Sequence, residues 1–173
     1  METGTAIISA AILATIGWYV TSRYTQVISR RQHSFQVYDS YRNNKDFHTH
    51  RKRAHELVEA GDIPSCKDAS RKADIESIDW LLNHYEFICG AILTGDLDER
   101  IFKRWEFSRI KNISTKFRDY IDENREKDDQ PTLWESLDFM ADRWITGAPV
   151  YDVQQIYEFV MLRPYIKDRP WFM

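Results

Sequence analysis

Cysteine is nearly absent: Cys66 and Cys89 are the only two in 173 residues. A disulfide framework of the kind that staples small secreted folds is therefore not expected, and reduced thiols are the simpler reading. Cys66 falls at a loop or helix start and Cys89 on a buried helix face, and neither carries a local sign of a lowered thiol pKa. An excess of positive charge is also missing. The formal charge of -3 gives no global reason to expect nucleic acid, because phosphate binding relies on a basic surface or stripe. There is no phosphate-cradling glycine loop and no nucleophile-elbow serine motif. Period-two alternation, which half-buried strands require, is absent too. What remains is 43% hydrophobic and 14% aromatic content, enough for one well-filled core plus one extra element. The expected class is all-α.

Charge is missing altogether from Thr5 to Val20, TAIISAAILATIGWYV. About 17 to 20 apolar residues are needed to cross the hydrocarbon core, so this run predicts a transmembrane helix close to the short limit. Trp18 and Tyr19 stand where an interfacial aromatic belt would form, and Arg23, Arg30 and Arg31 follow. A cleaved signal peptide would want positive charge ahead of the run, where only Met1, Glu2, Thr3 and Gly4 stand. A buried core helix would show a polar face, and only Ser9 and Thr15 interrupt this one. The positive-inside rule then places the protein as an integral component of the cytoplasmic membrane, N-terminus outside and the remaining chain in the cytoplasm. Ala10, Ala14 and Gly17 form a small-residue row that would let two such helices approach closely.

Between Arg23 and Arg53 eight cations face only Asp39 and Asp46. Arg23, Arg30, Arg31, Arg51, Lys52 and Arg53 are candidates for contact with anionic lipid, although a solvated, topology-setting flank explains them more simply. Tyr24, Val27 or Ile28, Phe35 and Tyr38 recur at helical spacing, so the helix is expected to continue until Asn43-Asn44. The anticipated organisation is an anchor over 1–22, a basic stalk over 23–45, a helical bundle over 46–162 and a Pro/aromatic tail over 163–173.

Within the bundle, Asp46 is expected to cap a helix that stops at Gly61. Ser65-Cys66-Lys67-Asp68 has the spacing of a capping-box variant for a helix reaching Thr94-Gly95, with Ile75, Ile78, Leu81, Leu82, Tyr85, Ile88, Cys89 and Ile92 as its apolar stripe. Asp96 with Glu99 opens the next helix through Phe102 and Trp105. Asp122 to Asp129 reads as a helix end and exposed loop. Pro131-Thr132 with Glu135 starts a helix bearing Leu133, Leu137, Met140, Ala141 and Trp144, and Val150 to Val160 gives a last one.

The stretch LNHYEFICGAILTGDLDE raises the question of a site. On a helical wheel Glu86 lies at the margin of the stripe, Asn83 beyond it, and His84 points away. Such a carboxylate is expected to pair with a neighbouring Arg or Lys, or with the free amides of a nearby helix start. LLNHYEFICGAILTGDLDERIFKRW, with Phe117 to Ile121 after it, resembles a bacterial and phage family of small, often membrane-anchored helical proteins, a domain of unknown function. Asn83, Tyr85, Glu86, Gly90 and Trp105 carry the resemblance, which spans Arg31 to Ile145 and implies a fold and an anchor but no activity.

Other candidate chemistry is thin. His48, His50 and His55 suggest metal ligation by composition, but residues two apart on a helix do not face each other and three adjacent cations oppose a metal. No metal, cofactor or catalytic constellation is expected. Trp134, Trp144, Trp171 and Phe172 read as core, or less simply as a protein-binding groove. The expected function is a membrane-anchored helical interaction or regulatory module acting by protein binding or self-association. The alternatives are a membrane-bound enzyme using Glu86 with a spatially adjacent His, and a peripheral anionic-lipid-binding domain.

Overall fold

The computed structural model describes residues 2–147, with side chains from Ile7 onward. Every regular element among them is helical. α1 runs over Glu2–Arg42, α2 over Lys45–Ala60, α3 over Lys72–Leu93, α4 over Glu99–Lys116, α5 over Arg118–Lys127 and α6 over Glu135–Ile145, with a 3₁₀ turn at Ala69–Arg71 before α3. The helix expected over Val150 to Val160 and the aromatic tail with Trp171 and Phe172 lie outside the described residues.

α3 is the central helix. Its stripe of Ile78, Leu81, Leu82, Tyr85, Ile88, Cys89 and Ile92 is buried, covered on one side by α2 and on the other by α6, while α4 packs against α6. The facing stripes are Phe47, Ala54 and Leu57 on α2, Phe102, Ile110 and Ile113 on α4, and Leu137, Met140, Ala141 and Trp144 on α6. Trp134 and Trp144 are therefore core residues.

The helix ends follow local chemistry, two of the N-caps lying two residues from the expected ones and the start of α3 seven residues later than expected. Asn44, not Asp46, caps α2, its Oδ1 accepting from the amides of Asp46 and Phe47. Gly61 closes that helix at φ 63°, a left-handed conformation that glycine adopts without Cβ strain. α3 begins at Lys72 rather than at Ser65, because Asp68 spends its carboxylate on the Ser70 amide and Ser65 donates its hydroxyl to Glu123. Asp98, not Asp96, caps α4 through the Arg100 amide. The polar stretch after Asp122 is helical as far as Lys127, since Tyr120, Ile121 and Asn124 bury one face of α5.

α1 belongs partly to the body. Ser34 is fully buried and its Oγ accepts from the Asp98 amide at 2.7 Å. Arg31 Nε meets Asp98 Oδ2 at 3.2 Å. Below them Phe35 and Tyr38 pack on Trp105, with ring centroids 5.3 and 4.4 Å apart. The expected stalk is thus a packed element in its C-terminal part, because its aromatic stripe finds α4.

The expected membrane span is overturned: among the described residues no helix is long and apolar enough to cross a membrane. From Ile7 onward the aliphatic side chains are interrupted by Ser9, Thr15, Gly17, Thr21 and Ser22 before Arg23 brings the first charge. From Thr21 onward polar and charged residues take over. The single-pass anchor, the integral membrane partnership, and the placement of the N-terminus outside and the body in the cytoplasm lose their basis with it. What α1 does show is a projecting half whose apolar side chains are exposed, among them Ile8, Leu13, Ile16, Trp18 and Val20.

Candidate functional site

The polar residues of α3 are built into its seam with α6. Glu86 Oε1 accepts from the Ser136 amide at 3.0 Å and Oε2 from the Leu137 amide at 2.8 Å. α6 has no side-chain cap of its own. Its N-cap position is Trp134, held in the left-handed region at φ 56°. A carboxylate from a neighbouring helix therefore does the capping, where the unpaired first-turn amides and the positive end of the helix dipole both favour negative charge. Asn83 Oδ1 accepts from Trp134 Nε1 at 2.8 Å, which fixes the indole at the same junction. Gly90 lies one turn further along α3, where a Cβ would come within 3.7 Å of Ser136 Oγ. Asn83, Glu86 and Gly90 are thus one device that receives the start of α6.

His84 does not point away from the core, as the wheel of α3 alone suggests. Tyr41, Phe47 and Trp80 enclose its ring, with Trp80 nearly parallel to it at 5.6 Å. Its Nε2 is buried without a hydrogen-bond partner. Burial lowers its pKa to about 4, so the imidazole is neutral at physiological pH. The reason is tertiary: α2 lies over the flank of α3 opposite α6.

A second polar centre, not singled out from sequence, is Glu106. It is fully buried and accepts from Tyr41 Oη at 2.7 Å and Tyr85 Oη at 3.1 Å, with Arg109 Nη1 on the same carboxylate. Burial, and then the Glu106 charge, push both phenols well above their usual pKa. The signal was available in sequence. Phe102, Glu106, Ile110 and Ile113 occupy one helical stripe, which places a carboxylate among core positions. Glu106 ties α1, α3 and α4 together.

The candidate lipid-contacting cations are divided by the fold. Arg31 is held by Asp98, and Arg53 by Asp74 at 2.6 Å and Glu56 at 3.4 Å. Arg51 lies over the Phe47 ring, and Lys52 sits 3.9 Å from Glu56. The three histidines of α2 go separate ways: His48 contacts the Arg42 carbonyl, His50 pairs with Ser77 Oγ and stacks on Trp80, and His55 meets Glu59. Among the described residues no group of three His, Cys, Asp or Glu side chains is placed to hold a metal. Both cysteines are free and buried, and burial, followed by a neighbouring glutamate, raises their thiol pKa.

Among the described residues, two surface clefts adjoin these side chains. One of about 680 Å³ is shared by Glu86, His33, Arg30, Asp96 and Ser136. The other, of about 670 Å³, has an apolar floor of Ala54, Val58, Leu81, Tyr85, Ile113 and Phe117 under a rim of His48, Arg51, Lys52, His55, Arg109, Asn112 and Lys116. Among the described residues no carboxylate lines this second cleft.

Fold and site together define a small α-helical protein whose recognisable α3 motif organises internal packing, with solvent-open clefts beside it. Residues 5–144 match the family described as a domain of unknown function (DUF4760), and the chain belongs to that family. No curated protein and no solved structure matches the chain.

Proposed function

We propose that this protein is a helical interaction module that associates with a second copy of itself through the projecting half of α1. The observation that carries the reading is the exposure of that half: Ile7, Leu13 and Trp18 are each about 70% exposed, on a helix apolar around its circumference. Apolar surface of this extent on one element marks an interaction site, since water-exposed helices ordinarily keep a polar face. A second copy suits it because the surface carries no charge between Ile7 and Ser22 for a charged partner to meet. Ala10, Ala14 and Gly17 also share one face along which two helices can approach, and at Gly17 an added Cβ would meet nothing within 4 Å. The body supplies a rigid base through Ser34, Tyr38 and Tyr41.

The test uses that open position. Gly17→Cys is expected to give a disulfide-linked dimer of the full chain under mild oxidation, because Cys66 and Cys89 are buried and do not compete. Adding Ile16→Glu should abolish the crosslink. Glu126→Cys, placed on exposed α5, is the control for random collision. A monomeric mass in sedimentation, together with crosslinking of Gly17→Cys no faster than the control, would refute the reading.

A further inference from the structure

The cleft between α2 and α4 has a composition that neither packing nor self-association of α1 explains. Arg51 and Lys52 stand on the α2 wall, and Arg109 and Lys116 on the α4 wall. Lys52 has Glu56 at 3.9 Å as a weak partner. Among the described residues neither Arg51 nor Lys116 forms an ion pair with a carboxylate. Arg109 differs in kind. Its contact with buried Glu106 fixes the guanidinium while the side chain stays 44% exposed, so donors remain for a ligand out of the five an arginine carries. Glu106 is itself held by two phenols, which makes Arg109 a pre-positioned cation rather than a waving one.

The floor decides what kind of anion fits. Val58, with the edges of Leu81 and Ile113, offers aliphatic surface, Tyr85 and Phe117 are almost wholly buried beneath it, and the rings at the rim are the imidazoles of His48 and His55. A bare inorganic anion would leave the apolar floor unused. A cavity of about 670 Å³ lies in the ordinary range for small-molecule sites. We propose that this cleft binds an aliphatic carboxylate, a single-chain organic anion whose hydrocarbon lies along Val58, Leu81 and Ile113 and whose head group is met by Arg51, Arg109 and Lys116. This inference is independent of how α1 associates.

The test is calorimetric titration of the full chain with dodecanoate below its micelle-forming concentration, alongside dodecyl maltoside, which has the same chain on a neutral head, and inorganic phosphate. Dodecanoate should bind one to one, and both controls should bind at least about tenfold more weakly, as expected where charge-assisted hydrogen bonds hold the head group. The double variant Arg51→Gln, Lys116→Gln should weaken dodecanoate by at least about tenfold on the same ground while its thermal unfolding stays that of the parent. Ile16→Glu, on α1, should leave binding unchanged. The proposal is overturned if dodecyl maltoside binds as well as dodecanoate, if phosphate alone binds as tightly, or if the double variant binds like the parent. Loss of binding in Ile16→Glu would also overturn it, because the chain would then be held on α1. If the double variant unfolds early, Lys116→Gln alone, at an exposed residue, carries the same comparison.

Discussion

Replacing Glu86 separates a packing role from a catalytic one. In Glu86→Ala the amides of Ser136 and Leu137 lose their acceptors, 3.0 and 2.8 Å away, and α6 loses its cap. A hydrogen bond to a charged group contributes about 1.5–3 kcal/mol net when buried. Glu86 is only half-buried, so water can partly replace it, and the two bonds together are worth about 2–4 kcal/mol. For a chain of this size that lowers Tm by roughly 4–16 °C. Glu86→Gln keeps one acceptor oxygen but puts an amide NH₂ against the second N–H, and it should lose about half as much. The assay is urea unfolding followed by far-UV circular dichroism and by tryptophan fluorescence, because Trp134 stands at the same junction. A general acid or base would behave oppositely, with Glu86→Gln losing an activity and keeping its stability. The reasoning is refuted if Glu86→Ala unfolds within about 0.5 kcal/mol of the parent, the range of an ordinary surface substitution.

Two further outcomes follow from the same packing. Gly90→Ala should be tolerated and should stabilise the chain by about 0.5–1 kcal/mol in denaturant unfolding, because the new Cβ reaches ordinary contact at 3.7 Å from Ser136 Oγ and alanine is the better helix former; loss of stability would mean that α3 and α6 lie closer than described. Folding stability should fall as pH drops from about 6.5 toward 4, because the His84 pKa is lowered to about 4 by burial while an unfolded histidine takes up its proton near 6.5. Its contribution is fully present above the unfolded pKa, is lost progressively as the pH falls to the folded one, and is on the order of 2–3 kcal/mol. His84→Phe, which fits among Tyr41, Phe47 and Trp80, should flatten stability over that interval when urea midpoints are compared from pH 7 to 4.5, and an unchanged slope would refute this account.

Helix number and order were legible where the signals are local. The Asn43-Asn44 break, Gly61 and the long stripe of α3 depend on neighbours within a turn or two, so sequence spacing reaches them. The caps of α2 and α4 were read within a helical turn but on the wrong side chain, because two Asx residues competed at each. Asp98 prevails over Asp96 because Ser34 accepts its backbone N–H and Arg31 meets its carboxylate, both from α1, more than sixty residues away in sequence. α5 was hidden by its polarity. A ten-residue helix with three buried side chains carries little periodic signal, and Arg125, buried in effect between Asp138 and the Leu133 carbonyl, looks from sequence like one more surface charge.

Among the described residues no helix is long and apolar enough to span a membrane, and the exposure of the apolar run on α1 remains the feature that calls for an explanation. The motif residues of α3 show the converse. They looked like chemistry because polar side chains on a core helix are costly unless paired, and each finds a partner that spacing within α3 could not reveal. Asn83 and Glu86 are satisfied by α6, and the phenol of Tyr85 by Glu106 of α4. His84 is the exception, with its Nε2 buried and unpaired. A motif whose polar groups are consumed by internal bonds marks how the bundle is assembled, so a binding function belongs to surfaces the motif supports without forming. The α2–α4 cleft is such a surface. Tyr85 links the two, since its ring contributes to the cleft floor while its hydroxyl helps hold the Glu106 carboxylate that positions Arg109 on the rim. Tyr85→Phe should therefore leave the floor intact, loosen Arg109 and weaken dodecanoate binding without a change in stoichiometry, whereas a ligand held by the floor alone would not register the missing hydroxyl.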